Sequence, residues 1–201
     1  MVQYLPVIVQ RDRRISLQHS ALLVLDMQCF FLDPSSHAYV PSAEAIIPNI
    51  QTLIDAYVNA GSMVVFTRHL NTPQDAGMMA TWWRDTITSD SSLSLIVDAF
   101  DLSNTTVLEK SQYDAFYNTG LEHMLHQNNV SQVVICGVMT HLCCETTARS
   151  AFVRGFEVFF TVDGTATYNH DYHIASLLNL SHGFATPILV EGVRSEIEEK
   201  E

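Results

Sequence analysis

Asp26, Lys110 and Cys143 are residue types that together can carry out acyl transfer. A cysteine sulfur attacks a carbonyl carbon, a thioester forms, and water hydrolyses it. A carboxylate can take the thiol proton as general base. An ammonium can stabilise the thiolate and hold the carboxylate ionised. Cys143 falls in THLCCETTARSAFVRG (140–155), which reads as a helix closed by Gly155. In the first turn of that helix, the macrodipole and free backbone N–H groups favour a thiolate and could hold an oxyanion. Each residue type also has an ordinary use: cysteine as a packing thiol, aspartate as a cap or turn former, lysine as a solvated charge. Position in the fold has to decide between these uses.

Strand-length apolar runs alternate with helix-period segments along the chain. ALLVLD (21–26), SMVVFT (62–67), TTVLEK (105–110), QVVICG (132–137), FEVFFTVD (156–163) and TPILV (186–190) read as strands. Ile47, Ile50, Ile54, Tyr57 and Val58 mark a helix, with Pro48 near its start and Gly61 past its end. Thr119 and Glu122 form a capping-box pattern before Leu121, Met124 and Leu125, and DYHIASLLNLSHGFA (171–185) reads as a further helix. The segment 68–104 reads as loops with a short helix and a small strand. This alternation predicts a three-layer, doubly wound α/β fold, with a central, mostly parallel sheet of about six strands and helices on both faces. In such sheets ligands bind outside the carboxyl ends of the strands. Asp26, Thr67–His69, Lys110, Gly137–Cys143 and Asp163 all end strands, so the ionisable groups converge on one edge.

The chain has 201 residues and is 47% hydrophobic and 16% charged, which suits one domain (1–201) with a sizeable core. A net charge of −12, from 10 basic and 22 acidic residues, repels phosphate backbones and argues against nucleic-acid partners. The acidic tail spans about 192–201, and its end, Glu196–Glu201 (EIEEKE), reads as frayed and solvated. MVQYLPVIVQRDRR puts its basic residues after the apolar ones, the reverse of a signal peptide, and no apolar run reaches membrane-helix length. These features predict a cytoplasmic protein. Cys29, Cys136, Cys143 and Cys144 show no CxxC pair, so they read as free thiols. Cys144 sits about 100° around the helix from Cys143 and reads as packing.

LLVLDMQCFF (22–31), VLEKSQYDAF (107–116) and VVICGVMTHLCCETTARSAFVRGFEVFFTVD (133–163) resemble, in order, the D-x-Q, lysine and G-x-x-T-x-x-C motifs of the isochorismatase-like hydrolases. The resemblance runs from Ala21 to Val190. It implies a catalytic triad of Asp26, Lys110 and Cys143. It also implies a cis Val138–Met139 peptide, with the N–H groups of Met139 and Cys143 as the oxyanion hole. GVMTHLCCETTA, Tyr113 and ATWWRD (80–85) resemble the isochorismatase branch. That branch carries glycine where this chain has Cys143 and cleaves a vinyl ether with the aspartate alone. The retained thiol points instead to a thioester and to an amide, ureido or imide substrate. A vinyl-ether hydrolase using Asp26 as acid, and a catalytically silent binding or assembly member, are the alternatives.

Phe31, Trp82, Trp83 and Tyr113 lie near the motif ends and are expected to wall the pocket, with His69 and His141 as its polar lining. The nicotinamidase metal motif resembles D-x-H followed by further histidines. TRHLNTPQD (67–75) offers only His69 there, and among His37, His69, His141, His170, His173 and His182 only His170 and His173 stand at paired spacing. The expectation is therefore no metal and no cofactor. The expected partners are a small-molecule substrate and, as is common in the family, further copies of the chain in a dimer or tetramer. Neither nucleic acid nor membrane is expected.

Overall fold

A computed structural model describes residues 13–198, so most of the apolar N-terminal stretch and the end of the acidic tail lie outside the described residues. Six parallel strands form one sheet: β1 (Ser20–Leu25), β2 (Met63–His69), β3 (Thr106–Lys110), β4 (Gln132–Val138), β5 (Glu157–Ala166) and β6 (Thr186–Ile188). Their order is β3-β2-β1-β4-β5-β6. Strand order therefore reverses between β1 and β4, and a crevice opens there at the strand ends.

The helices are α1 (Cys29–Leu32), α2 (Ile47–Asn59), α3 (Met79–Trp82), α4 (Leu121–Gln127), α5 (Glu145–Val153), α6 (His170–Gly183) and α7 (Val190–Glu198). β1 is buried along its whole length, and its side chains alternate between two cores. Leu22 and Val24 join Ile50, Leu53 and Ile54 of α2 and Val190 and Val193 of α7. Ala21, Leu23 and Leu25 join Leu121 and Leu125 of α4, Ala148 and Ala151 of α5, and Leu177 and Leu180 of α6. Pro48 stands in the first turn of α2, and Gly61, at φ +65°, follows its end. Gly137 has φ +110°, and a Cβ there would fall onto the Leu25 carbonyl. Only glycine lets the ends of β4 and β1 approach this closely.

Several expectations are corrected. The tail does not fray from Glu196: α7 continues to Glu198, its start held by the Val190 N–H donating to Asp163 Oδ1 at 2.8 Å. Asp163 therefore lies inside β5 and serves α7, away from the site. The capping box does not close. Thr119 Oγ1 donates to the Ala115 carbonyl at 2.6 Å, while Glu122 pairs with Arg154 at 3.0 Å. Asn169 caps α6, accepting from the Tyr172 N–H at 3.0 Å. The segment between β2 and β3 carries α3, a 3₁₀ turn at Ser92–Ser94 and an antiparallel bridge from Ile96 to Gln28. Among the described residues, no helix is long and apolar enough to cross a membrane.

Candidate active site

Asp26 follows β1 at the reversal of strand order, in the left-handed region at φ +51°. Aspartate enters that region more readily than most residues. Thr67 of β2 fixes it twice: Thr67 Oγ1 donates to Asp26 Oδ1 at 2.6 Å and accepts from the Asp26 N–H at 3.1 Å. Lys110, the last residue of β3, brings Nζ to 2.8 Å from Asp26 Oδ2, with both side chains fully buried. Cys143 enters from the π turn Thr140–Cys144 that precedes α5, and its Sγ lies 3.5 Å from Lys110 Nζ. Single-turn π segments recur at functional sites because they re-aim a side chain within a helix. The Val138–Met139 peptide just before this turn is cis.

The protonation states follow from burial and neighbours. Burial alone would raise the Asp26 pKa, but Lys110, His69 and Cys143 together hold it below the usual carboxylate value. Burial would likewise lower that of Lys110, but Asp26 and Cys143 reverse the sign and raise it. Burial, reinforced by the Asp26 charge, drives the Cys143 thiol pKa well up. The resting arrangement is thus carboxylate, ammonium and neutral thiol. This corrects the expectation that the helix start and Lys110 favour a resting thiolate: complete desolvation and the adjacent carboxylate outweigh them. An Asp26 carboxylate oxygen lies within 4.8 Å of the Cys143 sulfur. Cys136 and Cys144 are also fully buried with raised thiol pKa values, as packing groups.

A cavity of about 60 Å³ opens beside Cys143, walled by Phe31, Met79, Trp83, Ile87, Tyr113 and Leu142. His69, Asn71 and Met139 also reach it, and His37 and Asp85, 3.4 Å apart, also line it. Trp83 Nε1 donates to the Tyr113 hydroxyl at 2.6 Å. Of the residues singled out from the sequence, Phe31, His69, Trp83, Tyr113, Met139 and Cys143 thus share one cavity. Trp82 does not: the residue is 73% exposed, because α3 turns the neighbouring Met79 and Trp83 toward the cavity instead. His141 also lies elsewhere, 2.7 Å from Thr167 Oγ1 and stacked on Tyr172 at 4.4 Å.

Sequence reasoning missed Gln28, fully buried two residues after Asp26. Its Oε1 accepts from the His69 N–H at 2.7 Å, and its Nε2 donates to the carbonyls of His69 at 3.0 Å and Ser94 at 2.8 Å. The glutamine therefore ties the loop after β1 to the end of β2, and its place in D-x-Q was the available signal. Asn71 was missed as well, although it stands two residues beyond His69.

A family model for the isochorismatase domain matches residues 20–192. Nicotinamidase 3 of Arabidopsis thaliana is 40% identical over 180 residues, covering 87% of each chain. Motif details such as Tyr113 had pointed toward the isochorismatase branch. A cysteine hydrolase from Pseudomonas syringae pv. phaseolicola superposes with a TM-score of 0.91 at 26% identity, covering 96% of this chain and 98% of that one. A pyrazinamidase of Pyrococcus horikoshii, in complex with zinc, superposes at 0.76 with 26% identity, covering 85% and 99%. Here Asp26, His69 and Cys143 bring an oxygen, a nitrogen and a sulfur within 4.8 Å of one another. Lys110 Nζ lies 2.8, 3.2 and 3.5 Å from those three groups. Its ammonium already supplies the charge a metal would bring, so this donor set does not fit a resident ion. From the family match over 20–192 and the 40% identity across most of both chains, the chain belongs to the isochorismatase family of hydrolases.

Proposed function

We propose that this protein hydrolyses the carbon–nitrogen bond of a small aromatic amide, of the nicotinamide type, through a thioester on Cys143. The buried convergence of Asp26 and Lys110 with Cys143, whose residue lines the cavity, carries this reading. Asp26 takes the Cys143 proton, and the sulfur attacks the amide carbon. The N–H groups of Met139 and Cys143 hold the developing oxyanion. Asp26 returns the proton to the departing nitrogen, then activates the water that hydrolyses the thioester. Lys110 keeps Asp26 ionised at the start and balances the negative charge as it moves to sulfur.

The substrate class follows from the cavity. Its volume is small, and Phe31, Trp83 and Tyr113 line it, which suits a flat ring better than a long chain. The nicotinamidase relative at 40% identity supports the same choice. We read the protein as a cytoplasmic dimer or tetramer. Its four free cysteines suit a reducing compartment, and exposed Met78, Trp82, Phe152 and Val153 offer apolar surface for contact between copies.

The test is ammonia release from nicotinamide, benzamide, pyrazinamide and an aliphatic amide, with mass spectrometry of the trapped acyl-enzyme. Cys143→Ala is expected to abolish turnover while keeping the fold. An active Cys143→Ala combined with a dead Asp26→Ala would instead indicate ether hydrolysis by Asp26 alone.

A further inference from the structure

The Lys110 ammonium has three N–H groups and faces four acceptors. These are Asp26 Oδ2 at 2.8 Å, the Gln112 carbonyl at 2.8 Å, His69 Nδ1 at 3.2 Å and Cys143 Sγ at 3.5 Å. Two of the four, Gln112 and His69, are neutral and keep their character throughout the reaction. The other two, Asp26 and Cys143, exchange a negative charge.

His69 can act as an acceptor because its tautomer is fixed. Asn71 Nδ2 donates to the Ser111 carbonyl at 2.9 Å, so Asn71 turns its oxygen toward the ring. That oxygen lies 3.0 Å from His69 Nε2 and can only accept, so Nε2 carries the hydrogen and Nδ1 is bare toward the ammonium. The charged groups facing the ring are Asp26 after β1, Lys110 at the end of β3 and Asp75 in the segment after β2, with the Cys143 thiol nearby. Burial and Lys110 push the ring's pKa down to about 4, consistent with a neutral imidazole. Gln28 holds the His69 backbone at both its N–H and its carbonyl. His69 is thus anchored at ring and main chain, both buried.

We propose that His69 is the positioning residue for Lys110: with the Gln112 carbonyl it anchors two of the three ammonium protons, leaving the third to pass between Asp26 and Cys143 as the negative charge moves. When the S–H bond breaks and an O–H bond forms on Asp26, the charge leaves the carboxylate for the sulfur. The third ammonium N–H, shared between oxygen and sulfur, then weakens toward oxygen and strengthens toward sulfur, with no other bond of Lys110 changed. Without the anchor, Nζ is no longer fixed at a point that serves both groups.

This inference rests on the thioester reading above, and the experiment separates the two. Steady-state kinetics on one amide would compare the parent with Cys143→Ala, His69→Leu, His69→Gln and Asn71→Asp. His69→Leu is expected to lose about 100-fold in kcat with KM within about threefold. His69→Gln, whose amide oxygen can accept from the ammonium, should recover at least about tenfold of that loss. Asn71→Asp places a carboxylate on Nε2 and favours the imidazolium, whose Nδ1–H would oppose the ammonium. That variant should gain a new acid limb in its kcat profile, with activity returning as pH rises. A His69→Leu enzyme within threefold of the parent kcat, or one whose loss lies wholly in KM, overturns the proposal. An unchanged pH profile for Asn71→Asp also overturns it, and decides the matter if His69→Leu does not fold. An active Cys143→Ala overturns the thioester reading instead.

Discussion

Lys110 Nζ lies 2.8 Å from Asp26 Oδ2, and neither side chain has any solvent exposure. Two charges in that position are each stabilised almost entirely by the other and by fixed neighbours. Asp26→Asn or Lys110→Met alone leaves one buried charge uncompensated and should destabilise the fold by about 3–5 kcal/mol. The double variant Asp26→Leu/Lys110→Met should recover most of that stability while staying inactive. Urea unfolding checks this, and a double variant no more stable than either single one would contradict it.

The same pair sets the pH response. The folded-state pKa of Asp26 is below its unfolded value of 3.8, so its contribution is present above pH 3.8 and lost as pH falls through the lower folded value. That of Lys110 is above 10.5, so its contribution is complete below pH 10.5 and lost as pH rises through the folded value. His69, at about 4, is already neutral across physiological pH. Between roughly pH 6 and 8, kcat/KM should therefore show no ionisation of Asp26, Lys110 or His69. An inflection there that disappears in His69→Gln would refute this.

Gln28→Ala removes an acceptor from the His69 N–H and a donor from two buried carbonyls. At roughly 1–3 kcal/mol for an orphaned buried group, the total loss should be about 2–4 kcal/mol. Because His69 shifts with its backbone, kcat should fall as well. Thermal unfolding and turnover, measured together, check both parts.

Tyr113→Phe removes the hydroxyl that accepts from Trp83 Nε1 at 2.6 Å. A bond of this kind contributes about 0.5–1.5 kcal/mol, or roughly two- to thirteenfold. The loss should appear in KM for aromatic amides, because the indole wall loosens while Asp26, Lys110 and Cys143 stay in place. A change confined to kcat would place Tyr113 in the chemistry instead.

The fold was legible because its strands are short apolar runs and the intervening helices keep a 3.6 period. The boundaries that moved did so through partners distant in sequence. α7 extends because Asp163, 27 residues earlier, holds its first N–H. The convergence of Asp26, Lys110 and Cys143 was legible because strand ends share an edge in any parallel sheet. The resting thiol was not, because its protonation depends on desolvation and on the Asp26 charge, which helix position alone does not report. The turn of Trp83 but not Trp82 toward the cavity was equally hidden: both belong to one WW pair, and only the short turn of α3 decides which ring meets the cavity. Gln28 and Asn71 went unread because amides carry no charge and their value lies wholly in backbone and ring contacts across the sheet.

The reversal of strand order between β1 and β4 divides the labour of this protein by element type. Asp26, His69 and Lys110 stand at or directly after strand ends, whereas Phe31, Met79, Trp83 and Ile87 belong to the connections beyond them. Exchanging those connections would leave the buried charges where they are. One scaffold can therefore be re-tailored to new molecules by loop replacement alone, its reactive machinery inherited intact.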